Sequence, residues 1–150
     1  MIRFLVYAAI ACGSYCAGLL AYMVSLFLLY GETPGSESDK LVGWTLPSYL
    51  FILLPACTLL HFWKRQAYAI RIGLLLFTSF IAAAAVPAMM GFWFAWLLDP
   101  LSPELGLFIL QFAATAAMFF VGTAVVRTNR GLLFYLALAV VFTTAAIYMI

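Results

Sequence analysis

Charge is scarce in this chain. Of its 150 residues 8% are Asp, Glu, Lys or Arg, against 68% hydrophobic and 17% aromatic. A water-soluble domain carries about 25% charged and roughly half apolar residues, so a soluble globule and a disordered tail are both excluded. Seven basic and five acidic residues leave a net charge of +2, too little for a surface that tracks phosphates. No nucleic-acid partner is expected. There is one histidine, which excludes bis-histidine haem ligation within one chain. No Cys-x-x-Cys, HExxH, P-loop or Gly-rich dinucleotide turn occurs.

What the chain has instead is long apolar runs: Phe4–Leu29, Leu41–Phe62, Ile72–Leu98, Leu105–Val126 and Gly131–Ile150, each between 20 and 27 residues. A hydrocarbon core of about 30 Å takes about 20 helical residues to cross. None of the five runs contains an Asp, Glu, Lys or Arg. They lack the short polar–apolar alternation of a barrel, and lipid demands that the backbone satisfy its own hydrogen bonds, which leaves helices. The expected fold is an all-α integral membrane protein, a bundle of five transmembrane helices in which residues 1–150 form one transmembrane domain.

The few charges set an orientation. In a five-span chain Arg3, Lys64, Arg65, Arg71, Arg127 and Arg130 fall on one side. Lys40 and all five acids (Glu32, Glu37, Asp39, Asp99 and Glu104) fall on the other. Six basic residues against one, over short loops, place the N-terminus in the cytoplasm and the C-terminus outside. Trp63 marks the inner boundary, and Trp44, Trp93 and Trp96 the outer one. The first run continues 17 residues past Cys12, so it reads as a retained helix rather than a cleaved signal. No loop is long enough to fold as an extramembrane domain. That compactness points to a bacterial inner (cytoplasmic) membrane.

Candidate functional residues come from packing and from polar groups within the runs. Ala9, Gly13, Ala17 and Ala21 recur every four residues on the first span, with Ser14 and Gly18 alongside. Small residues let helices approach closely in lipid, where van der Waals contact drives association. The stripe is either packing within the bundle or a face for a partner. Pro55 and Pro87 each remove a backbone donor and free the carbonyls of Phe51 and Ala83. Such kinks line pathways in some transporters, but more often a nearby hydroxyl or water satisfies the break; Thr58 and Thr115 are candidates for that. Tyr22, Ser48, Gln111 and Thr143 all fall about 10 Å below the outer boundary by helix rise, on four different spans. They form either an outward-open polar cleft or a hydrogen-bonded layer between helices. Cys12 with Cys16, and Cys57 with His61, are spaced to share helix faces, yet cysteine is more often a small buried hydrophobe, and no metal or cofactor is expected.

No acid stands in the spans to relay protons or couple cations, an intramembrane aspartyl mechanism lacks its Asp pair, and a Ser/His hydrolase would have to recruit His61 at the membrane edge. The expectation is a non-enzymatic accessory, assembly or inhibitory component, for example an immunity protein against a membrane-active toxin. It would act by docking helices on another membrane protein or on itself. The alternative is a small transporter or flippase component for a neutral or amphipathic solute. A stable heteromeric complex on purification supports the first reading, whereas a homo-oligomer that moves solute in liposomes supports the second.

Overall fold

The computed structural model describes residues 2–32, 35, 38–63, 68–90, 102–126 and 129–149. Among these residues there are helices and no strand. Five helices are long and apolar enough to cross a membrane, the build of a multi-pass membrane protein. They are α1 (Ile2–Tyr30), α2 (Ser38–Phe62), α3 (Tyr68–Met89), α4 (Pro103–Val125) and α5 (Asn129–Met149). Lys64, Arg65, Trp93, Trp96, Asp99, Glu37, Arg127 and the end of the third apolar run, residues 91–98, lie outside the described residues.

The ends of the helices follow from local chemistry. Gly31 closes α1 with a φ of 68°, the left-handed conformation that glycine adopts without a Cβ penalty, while its N–H donates to the Phe27 carbonyl at 2.8 Å. Ser102 caps α4: its Oγ accepts from the Leu105 N–H at 3.3 Å, Pro103 takes the first turn, where no donor is missed, and Glu104 faces the positive end of the helix dipole. The described part of helix α3 runs from Tyr68, four residues before its apolar run, and Arg71 within it reaches back to the Leu60 carbonyl at 3.2 Å. A charged residue at a span's edge need not end the helix when its long stem lies along apolar surface.

Proline shapes α2. Helix Ser38–Ser48 carries Pro47 within it, and Tyr49–Leu53 then winds as a π-helical turn. Leu54 N–H donates to the Tyr49 carbonyl, five residues back, immediately before Pro55. One widened turn takes up the mismatch that the proline ring imposes, and Leu54–Phe62 continues as regular helix. Thr58 and Thr115 do not satisfy the freed carbonyls. Thr58 Oγ1 donates to Pro55 and Thr115 Oγ1 to Gln111, each within its own helix. Pro87 sits two residues before the end of α3 at Met89, so little helix follows it among the described residues.

Helix α4 is the most enclosed of the five and α5 the most exposed. Helix α1 packs along both of them, and α3 covers another side of α4. The short connection between α4 and α5 brings them together near Gly122 and Tyr135, but α5 lays most of its length on α1. The core joins Ile10, Leu19 and Met23 of α1 to Leu53 and Cys57 of α2, Ala82 and Val86 of α3, and Phe112 and Phe119 of α4.

Candidate functional site: small-residue contacts, buried hydroxyls and two grooves

Three glycines govern how closely the helices approach. A methyl group at Gly13 would lie 2.8 Å from Ala139 Cβ and 3.2 Å from the Tyr135 hydroxyl, both on α5. One at Gly18 would overlap Thr115 Oγ1 and lie 2.7 Å from the Gln111 carbonyl oxygen on α4. One at Gly122 would lie 2.8 Å from the Tyr135 ring and 2.9 Å from Ile10. Five residues separate Gly13 from Gly18, which at about 100° per residue turns them about 140° apart. Helix α1 therefore has two small faces, one for each neighbour. Within the Ala9, Gly13, Ala17 and Ala21 stripe, Gly13 and Ala17 are buried, whereas Ala9 and Ala21 are half-buried. The closest approach is at Gly18, beside the stripe rather than on it.

Hydroxyl groups tie the helices to one another's backbones. Tyr49 on α2 and Ser14 on α1 both donate to the Ala11 carbonyl, at 2.9 and 2.8 Å, with their oxygens 3.2 Å apart. Thr45 Oγ1 donates to Leu41 O at 2.8 Å, so it accepts from the Tyr15 hydroxyl 2.9 Å away. Tyr15 and Tyr49 stack with ring centroids 5.1 Å apart. Tyr135 on α5 donates to Ile10 O at 3.1 Å. A helix carbonyl has a second lone pair beyond the one in the ladder: Tyr135 uses that of Ile10, and Tyr49 shares that of Ala11 with Ser14. Nothing in the depth counting singled out Tyr15, Tyr49 or Tyr135. Their signal was a phenol well inside an apolar run, where an O–H has to find a partner.

The four residues of the suspected polar layer bond to different neighbours. Ser48 donates to Ala82 O on α3 at 2.6 Å. Thr143 donates to Ala139 O within α5 at 2.8 Å and stands 3.5 Å from Cys16 Sγ. Tyr22 stacks on Phe108 with centroids 5.2 Å apart. Gln111 is fully buried, and neither Oε1 nor Nε2 has a hydrogen-bond partner. No hydrogen bond links any two of the four. Straight-helix counting gave them a common depth but could not give them a common direction.

An unpaired buried amide is costly, about 1–3 kcal/mol in soluble proteins. Gln111→Leu is therefore expected to leave the bundle at least as stable as the parent, measured by reversible unfolding in mixed micelles. A loss of more than about 1 kcal/mol would mean that the amide is paired in the membrane.

Several grooves cut into the bundle, two of them large. One, of about 490 Å3, lies between α1 and α2, bordered by Tyr7, Cys12 and Tyr15 on one side and Tyr49, Leu54 and Thr58 on the other. The second, of about 550 Å3, lies between α3 and α4 with Arg71 and His61 at one end. Neither is lined by Tyr22, Ser48, Gln111 or Thr143. Cys12 is exposed, Cys16 half-buried and Cys57 buried. Among the described residues no three His, Cys, Asp or Glu side chains gather closely enough to hold a metal ion.

No protein-family model, no curated protein and no solved structure matches this chain.

Proposed function

We propose that the chain is a non-enzymatic multi-pass protein of the bacterial inner membrane, with its N-terminus cytoplasmic and its C-terminus outside. It serves as an accessory, assembly or inhibitory component that docks on another membrane protein. Immunity against a membrane-active toxin is one such role. The observation that carries this reading is where the buried hydroxyls go: Ser48, Tyr49 and Tyr135 each donate to a backbone carbonyl of a neighbouring helix. Groups spent on holding the bundle together are not free to act on a substrate. The outward surface of α5 remains, where Leu133, Phe134, Val140, Val141 and Ile147 are all exposed. In a membrane such a surface meets either lipid or the apolar face of a second helix, and docking takes the second.

The α3–α4 groove favours a second reading, a transporter or flippase component for an amphipathic solute. Purification in a polymer-bounded patch of native membrane separates the two. The docking reading expects a defined heteromeric complex that Val140→Trp on α5 disrupts while the bundle stays folded. A homo-oligomer that moves solute in liposomes, indifferent to that substitution, contradicts docking and supports transport.

A further inference from the structure

The α3–α4 groove has a polarity of its own. Arg71, in the first turn of α3, stands at one end with its guanidinium 5.7 Å from the centre of the Phe120 ring. From there the walls are mostly apolar, with Ser79, whose buried Oγ has no hydrogen-bond partner, and Thr123 among them, and the floor on α4 is cut low by Ala113, Ala116 and Ala117. The rim is open sideways, since Ile72, Leu76 and Val121 are 40%, 57% and 48% exposed. In a membrane those side chains meet hydrocarbon.

Shape limits the occupant. From Ala113 to Ala124 the α4 wall runs for about 16 Å at 1.5 Å per residue. A volume of about 550 Å3 spread over that length gives a cross-section of about 33 Å2, or about 6 Å on a side. A helix with side chains is about 10–12 Å across and lies at most along the open rim, not within the slot. An extended hydrocarbon chain fits within it.

Charge limits it further. All five acids of the chain lie in the segments that join α1 to α2 and α3 to α4, or in the first turns of α2 and α4. Tyr30 at the end of α1 reaches Glu104 at the start of α4, 3.5 Å away, so these acidic ends meet. Arg71 belongs to the opposite end of the bundle, where α2 passes into α3. Among the described residues no carboxylate competes for its guanidinium, which has five N–H donors and a fork suited to phosphate. The contact with Leu60 O occupies one donor and holds the group in place over the groove.

We infer that the α3–α4 groove binds one anionic phospholipid, with its phosphate on Arg71 and an acyl chain in the alanine-floored slot. The polarity of the groove, charged at the helix ends and mostly apolar toward mid-span, is that of a lipid in its own leaflet. The site is independent of whether the chain docks on a partner protein, and its test reads binding alone.

The purified, delipidated chain is offered dioleoyl phosphatidylglycerol, dioleoyl phosphatidylcholine or oleate, and retained adducts are counted by native mass spectrometry. The expected result is a single phosphatidylglycerol adduct, retained about tenfold better than phosphatidylcholine. Arg71→Gln should remove that preference and Arg71→Lys should keep most of it. Ala117→Phe, which projects into the slot from an exposed position, should weaken retention of both phospholipids, and it carries the test if Arg71→Gln fails to fold. Equal retention of the two phospholipids by the parent, or a preference unchanged in Arg71→Gln, would overturn the site in favour of unspecific surrounding lipid. Oleate retained as well as phosphatidylglycerol would overturn the phospholipid assignment.

Discussion

Gly18→Ala is expected to destabilise the bundle by about 3 kcal/mol or more, although it adds a single methyl group. The added Cβ would overlap Thr115 Oγ1 and stand 2.7 Å from the Gln111 carbonyl oxygen. A flexible side-chain tip can swing away from such a clash, but a helix backbone cannot. Relief requires α1 and α4 to separate, and with them the contacts of Leu19, Met23 and Phe112, all in the core. Gly73→Ala is the control. Nothing lies within 4 Å of a Cβ built there, so the substitution should be neutral or mildly stabilising, since alanine is the better helix former. Unfolding titrations in mixed micelles measure both. If the two substitutions cost the same, Gly18 does not mark a close helix contact.

Tyr135→Ala is the second large effect, expected at about 3 kcal/mol, the low end of the range for deleting a buried aromatic ring. The low end applies because atoms lost from a membrane bundle would otherwise contact lipid rather than water, so packing dominates the loss. The ring fills the space that Gly13 and Gly122 leave open, touching α1 and α4 from its position on α5. Tyr135→Phe keeps the ring and loses only the bond to Ile10 O, so it should cost about 0.6 kcal/mol and no more than about 1.7 kcal/mol. The pair separates packing from hydrogen bonding on one side chain. Equal losses for the two would place the energy in the hydroxyl and contradict the packing account.

The number of helices and their approximate bounds could be read from the sequence because hydropathy and length are properties of one segment at a time. Four of the five apolar runs agree with the helices to within a few residues at each end; the described part of the third helix starts earlier, at Tyr68, with Arg71 inside it. Contacts between segments were harder to read. Gly18 looked like an accessory to the four-residue stripe, yet it marks the tightest contact, because α1 serves two neighbours at different angles. Tyr22, Ser48, Gln111 and Thr143 share a depth but not a direction, and depth alone is what residue counting supplies. The effect of Pro55 was visible as a break. That the chain would resolve it with one π-helical turn over Tyr49–Leu53 depends on the neighbours that hold Ser48 and Tyr49 in place.

The arrangement of the five helices across a bilayer is tested most directly by single cysteines introduced into a chain carrying Cys12→Ala, Cys16→Ala and Cys57→Ala. Glu32→Cys and Tyr148→Cys are expected to react with a membrane-impermeant maleimide added outside intact cells. Gln66→Cys and Asn129→Cys should react only after the membrane is opened. Labelling of positions 32 and 148 from opposite sides would contradict five membrane crossings, and labelling of positions 66 and 129 from outside intact cells would reverse the orientation.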